Sequence, residues 1–277
     1  MPNVELTPAK LNAWRKIALG SWNNGGDPSV YGVIDINGAL LIEHQKRWSE
    51  RHAGKKPPTL TAIVSRAAAL TLHQYPEING LIRWGRIYLR KSVAVFLQTS
   101  VDDAGKELSG FVIYDAQTKS IEQFVEEIAS KAQAIRADKD PAFKKAKATF
   151  KNIPAFLMKR AMNTMSFLLY TLNLDLRWAG LPKDPFGSIM VTSVGSLGVD
   201  EAFAPLVAYT RVPILLAVGA MRDRAVVEDG KIIVAPIMKI CVTFDHRFVD
   251  GVYGAKMIKL LRRLLETDSG LDELGLK

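Results

Sequence analysis

Cysteine is nearly absent: the 277 residues contain one, Cys241. A single thiol excludes an intrachain disulfide framework and a cysteine-rich metal site, so no metal is expected and the cytoplasm is the expected compartment. Also missing is an apolar run behind a basic segment in the opening M-P-N-V-E-L-T-P-A-K, which therefore does not read as a secretory signal. No internal repeat, low-complexity tract or interdomain linker divides the chain, and one domain over 1–277 is the expectation. Lysine and arginine outnumber the acidic residues, 37 against 28, for a formal charge of +9. These cations are dispersed, without an aromatic-interleaved stripe or zinc-finger spacing, so no nucleic-acid partner is expected. The charge instead suits phosphates, acidic carrier proteins or a membrane surface.

What is present reads as alternating helical and extended segments. Leu11, Trp14, Ile17 and Ala18 sit at helical spacing in a segment carrying Arg15, which the Asn23-Asn24-Gly25-Gly26-Asp27-Pro28 cluster ends. Helices are predicted over 39–52, 59–75 and from Ser120, whose spacing to Gln123 is that of a capping box. Strands are predicted over 81–90, 93–101, 111–114, 189–193, 213–220 and 237–244, with a hairpin at Glu228-Asp229-Gly230. A helix over 252–266 precedes a short polar tail. His44, His52 and His73 fall in the helices, away from any glycine-bounded turn, and read as structural or solvated. Residues 140–185 change character: 143–151 is basic, and 153–176 is rich in Leu, Met and Phe. Lys159, Arg160 and Asp175 leave fewer uninterrupted apolar positions than the roughly 20 a membrane span requires. Leu157, Ala161, Met165, Leu168 and Leu172 fit one helical face, for burial against the domain, another subunit or a membrane surface.

The densest chemistry lies in V-T-F-D-H-R-F-V-D-G, from Val242 to Gly251. A histidine held between carboxylates at an abrupt strand end suits a positioned general base; the plain alternative is a charged turn closed by Asp250-Gly251. Gly195 and Gly198 have neither Walker nor dinucleotide spacing and read as a sharp turn.

Several pieces together carry a resemblance. F-D-H-R-F-V-D-G (244–251) is similar to a D-H-R-x-x-D-G motif, supported by V-T-S-V-G-S-L-G (191–198), V-D-E-A-F-A-P (199–205), I-L-L-A-V-G-A-M-R-D (214–223) and V-V-E-D-G-K (226–231). The chain resembles the catalytic domain of 2-oxoacid dehydrogenase acyltransferases, the E2 components, within the chloramphenicol acetyltransferase-like superfamily. The resemblance is dense from Gly187 and lapses over 140–185, which reads as an apolar helical insert.

The resemblance implies an α/β fold of two layers, a mixed sheet flanked by helices, assembling as a homotrimer with active sites at subunit interfaces. It implies coenzyme A as substrate and a lipoyl group supplied in trans by a separate lipoyl or acyl carrier protein, since no lipoyl or peripheral-subunit-binding domain is read in the sequence. His246 is then the base. Thr192 is the oxyanion donor from the facing subunit, with Ser193 in its place if the alignment is one residue out. Asp250 holds the active-site loop, with Arg15 its ion-pair partner, while Asp245, Arg247 and Gly251 organise the loop. Cys241 is buried filling. Two alternatives stay open: transfer to a small-molecule acceptor, as in chloramphenicol acetyltransferase, and a non-catalytic trimeric scaffold that meets a partner or membrane through 153–176.

Overall fold

The computed structural model describes residues 2–10, 28–100, 108–137 and 154–277. The helix expected around Arg15 and the basic stretch 143–151 lie outside the described residues. Strand β1 (Leu6–Pro8) is short, and β2 (Ser29–Asn37) enters the core through Ile34 and Ile36. Helix α1 (Ala39–Arg51) buries Leu41, His44 and Trp48 at helical spacing. Helix α2 (Leu60–Gln74) begins where the Thr59 hydroxyl accepts from the Ala62 N–H at 3.2 Å, and ends before Pro76. Its buried Ala62, Ala67, Ala68 and Ala69 let the backbone approach its neighbours closely.

Strands β3 (Gly80–Arg83) and β4 (Arg86–Arg90) pair across Trp84-Gly85, and β5 (Val95–Ser100) pairs with β6 (Leu108–Ile113). Helix α3 (Ile121–Arg136) carries the expected capping box: Ser120 Oγ accepts from the Gln123 N–H, and Gln123 Oε1 accepts from the Ser120 N–H. After α4 (Ala155–Ser166) come β7 (Ile189–Ser193), β8 (Ile214–Glu228), β9 (Lys231–Asp245), α5 (Gly251–Glu266) and α6 (Asp268–Glu273).

The main sheet has the order β2-β9-β8-β7-β5-β6. The β5-β7 and β7-β8 pairs are parallel and the others antiparallel, giving the mixed sheet flanked by helices that was expected. Side chains alternate between its faces. Val191, Ile214, Leu216, Val218, Ile240 and Val242 join the core shared with the helices, while Met190, Leu215, Ala217 and Cys241 form a second cluster on the other face. Strands apolar at every position are thus covered on both sides. A separate antiparallel sheet, β1-β4-β3, stands beside it.

Two expectations change. The apolar stretch after α4 does not continue one helical face. A wider π-helical turn over Phe167–Thr171 shifts the phase, so Leu169 and Tyr170 are buried while Leu172 is exposed. The N-terminal segment clamps this stretch: Asn3 Nδ2 donates to the Leu169 carbonyl at 3.0 Å and the Val4 N–H donates to Asn173 Oδ1 at 2.8 Å. Asn3 Oδ1 also accepts from the Asp184 N–H at 2.8 Å, and the Asp184 carboxylate pairs with Arg90 in the interior. No helix among the described residues is long and apolar enough to cross a membrane. The tail, in turn, is not a polar appendage. Leu271, Leu274 and Leu276 are fully buried in the main core, and the His44 ring bridges the Leu276 carbonyl (3.0 Å) and Asp268 Oδ1 (2.8 Å). His44 therefore faces a carboxylate brought from 224 positions away.

Because the tail completes the core, Leu274→Ala is expected to cost about 2–5 kcal/mol of unfolding free energy. Urea unfolding monitored by circular dichroism measures it; a loss below about 0.5 kcal/mol would mean that the tail is not part of the cooperative core.

Candidate active site

Strand β9 ends at Asp245, and the chain turns sharply through His246–Asp250 into α5. Main-chain bonds anchor the turn at both sides: the Asp245 N–H donates to the Pro213 carbonyl and the His246 N–H to the Pro28 carbonyl, each at 2.9 Å. The Asp245 carbonyl accepts from the N–H groups of Phe248 (2.9 Å) and Val249 (2.8 Å). Phe248 and Val249 are buried in the core, so the turn is held by packing as well as by hydrogen bonds.

The charged residues of the turn lock it from outside. Asp245 takes Arg247 in a two-pronged pair, Nε to Oδ1 at 3.0 Å and Nη2 to Oδ2 at 2.7 Å, and also accepts from the Arg247 N–H at 3.0 Å. These bonds favour the charged guanidinium and raise its pKa above the ordinary arginine value. Asp250 is the N-cap of α5, its Oδ1 accepting from the Tyr253 N–H at 2.9 Å. Arg15, the expected partner of Asp250, lies outside the described residues. At Gly251 a Cβ would meet nothing within 4 Å, so this position imposes no steric need for glycine.

His246 Nδ1 lies 2.9 Å from the Val249 carbonyl. A carbonyl only accepts, so Nδ1 carries the hydrogen, and in the neutral ring Nε2 is left with its lone pair. Phe244 meets the imidazole edge-on, with ring centroids 6.3 Å apart. One ring nitrogen is committed to the main chain, and the other is in the state a proton acceptor requires.

Thr192 lies far from this turn within the chain. It is paired with Ala217 on β8, which is paired with Cys241 on β9. Two strand spacings and at least four residues of rise separate it from His246, on the order of 15–20 Å. Alternation puts Thr192 on the face of Met190 and Ala217, away from the helices. Its hydroxyl makes no hydrogen bond among the described residues, whereas Ser193 Oγ accepts from the Ser196 N–H at 3.4 Å. The turn after them fits the expected sharp bend: Gly198 has φ +78°, and a Cβ on Gly195 would lie 2.4 Å from the Gly219 carbonyl oxygen.

Cys241 is buried in the second cluster, and burial pushes its thiol pKa up, which suits filling rather than reactivity. Among the described residues no group of three or more His, Cys, Asp or Glu is placed to hold a metal ion. The carbonyls of Pro28 and Pro213 had no signal in the sequence, because a main-chain acceptor is the same in every residue.

The model of a family described as 2-oxoacid dehydrogenases acyltransferase (catalytic domain) matches residues 20–158 and 185–271. A relative from Staphylococcus aureus (strain Mu50 / ATCC 700699), the dihydrolipoyllysine-residue acetyltransferase component of pyruvate dehydrogenase complex, is 26% identical over 266 residues. That stretch is 95% of this chain and 51% of the relative, so the chain spans about half the relative's length. The structure of the cubic core of the pyruvate dehydrogenase multienzyme complex matches with a TM-score of 0.64 at 20% identity, covering 98% of this chain and 94% of that one. A chloramphenicol acetyltransferase matches with a TM-score of 0.55 at 15% identity, covering 95% and 100%. At such identities the two structural likenesses concern the fold.

The Val249 contact predicts the tautomer. Nitrogen-15 NMR of the histidine rings above their titration range should show His246 protonated at Nδ1 and bare at Nε2; the reverse pattern would contradict the geometry.

Proposed function

The chain belongs to the 2-oxoacid dehydrogenase acyltransferase catalytic-domain family, and on that premise we propose that it moves an acyl group between coenzyme A and a dihydrolipoyl thiol held on a carrier. The observation that carries this reading is the His246 ring, pinned at Nδ1 by the Val249 carbonyl so that Nε2 can take a proton. In the proposed reaction Nε2 takes the proton of the attacking thiol and returns it to the thiolate that leaves, which regenerates the base. Thr192 Oγ donates a hydrogen bond to the acyl oxygen as that oxygen gains negative charge. Its hydroxyl is less committed than that of Ser193, which caps the following turn. Asp250, Asp245 and Arg247 hold the turn and take no part in proton transfer. The positive net charge suits the phosphates of coenzyme A.

In this reading the site is shared between subunits of a homotrimer. The register supports that, because it keeps Thr192 and His246 apart within one chain. The face that carries Thr192 also leaves Tyr31, Val33 and Phe203 exposed, with Tyr31 and Phe203 in edge contact at 5.6 Å. That is apolar surface suited to a second copy. One domain with an insert, and a cytoplasmic setting consistent with the single buried thiol, belong to the same proposal. The likeness to chloramphenicol acetyltransferase is one of fold and lends nothing to a small-molecule acceptor. A pure scaffold would have no physical use for the fixed tautomer.

Acyl transfer from acetyl-coenzyme A to dihydrolipoamide tests the reading. His246→Ala is expected to lower kcat by about a hundred- to ten-thousand-fold and Thr192→Ala by about a hundred- to a thousand-fold, both without change in fold. Wild-type rates in a folded His246→Ala protein would sink the assignment.

A further inference from the structure

A cavity of about 530 Å³ lies behind the catalytic turn, with Asp245 and Arg247 in its wall. His246 itself is not among its lining residues, although its neighbours on both sides are. Asn163 and Ser166 of α4 form part of the wall, and both fall in 159–184, the stretch over which the family match is interrupted. Part of this cavity is therefore built by residues outside the family match.

Among the described residues its charges do not balance. Arg211 and Arg247 both line it, and Asp245, the carboxylate of the described lining, is already taken up by Arg247. Arg211 Nε donates to Ser166 Oγ at 3.2 Å, and its Nη groups have no partner among the described residues. Burial, then the nearby Arg247 guanidinium, lower the Arg211 pKa from its ordinary value. The charged form is thus held at a cost that a bound anion would offset.

Local turns place both side chains in the wall. Arg211 (φ +58°) is the left-handed cap of the 3-10 turn Ala208–Thr210. Trp84 (φ +52°) and Gly85 (φ +64°) form the two-residue turn between β3 and β4, which requires left-handed backbone at both positions. Trp84 is 60% exposed, and with Tyr209 it gives the cavity aromatic walls beside its guanidiniums. The volume is that of an ordinary small-molecule site.

We propose that this cavity binds a small organic anion, a carboxylate or phosphate ester with an apolar body, through Arg211. The site does not depend on the acyl-transfer reading, since binding is measured without turnover. The probes are phenylacetate, phenyl phosphate and neutral phenylacetamide, each titrated into the whole protein by calorimetry and by tryptophan fluorescence.

One or both anions are expected to bind with Kd below about 1 mM, and the amide about tenfold more weakly or not at all. Binding by phenylacetate alone assigns a carboxylate, and by phenyl phosphate alone a phosphate ester; either outcome supports the site. Arg211→Gln should weaken anion binding about tenfold or more, with Arg211→Lys retaining part of it. Trp84→Phe should remove the fluorescence change while calorimetric binding persists. If Arg211→Gln fails to fold, Ser166→Ala, which releases the Arg211 Nε, should still lower the affinity. Equal affinity for the amide and the anions, unchanged binding in folded Arg211→Gln, or no anion binding at about 10 mM would overturn the proposal.

Discussion

The pairing register of β7, β8 and β9 is the constraint on which the rest depends. Thr192 stands level with Ala217 and Cys241. His246 lies past the far end of β9, beside the start of β8 at Ile214. A register slip of one residue would turn every side chain of a strand to the other face. That would move Thr192 to the helix side and bring apolar residues out of both cores. The two buried clusters that fix the register therefore also fix which hydroxyl is presented and from where. Stability and site geometry are set here by the same apolar alternation.

The turn after β9 depends on this frame. Pro213 and Pro28 offer carbonyls to it only because β8 and β2 flank β9. Phe248 and Val249 seat it in the core, Asp250 starts α5, and the Asp245–Arg247 pair closes its outer side. Each contact is modest by itself, since a hydrogen bond contributes about 0.5–1.5 kcal/mol net. Together they leave the imidazole one arrangement, with Nδ1 on the Val249 carbonyl. Pre-organisation of this kind is what a proton acceptor needs, because the ordering cost is met on folding rather than on reaction.

How much was legible in the sequence depended on whether the cause was local. The Ser120–Gln123 capping box, α1, α2, α5 and the hairpin at Asp229-Gly230 were all visible, because caps, periodicity and turn residues act within a few positions. The His246 turn was visible as a motif, because its charged residues and Gly251 lie within a few positions. Features that rest on distant partners were not. The clamp of Asn3 on Leu169 and the Asp268 carboxylate at His44 join residues 166 and 224 positions apart, and Leu274 is buried in the main core. The π-helical turn was hidden because an apolar run keeps its composition when the helical phase shifts. Trp84 and Arg211 gave no hint of left-handed backbone, since neither residue type favours it.

In the proposed reaction a working site takes His246 from one chain and Thr192 from another. Co-expression of His246→Ala and Thr192→Ala chains in equal amounts tests it most directly. In randomly mixed trimers roughly one quarter of the interfaces would join an intact His246 to an intact Thr192. The predicted result is recovery of up to about a quarter of wild-type acyl-transfer activity from two nearly inactive parents. Activity no higher than that of either parent, in mixed assemblies verified by mass spectrometry, would contradict the shared site.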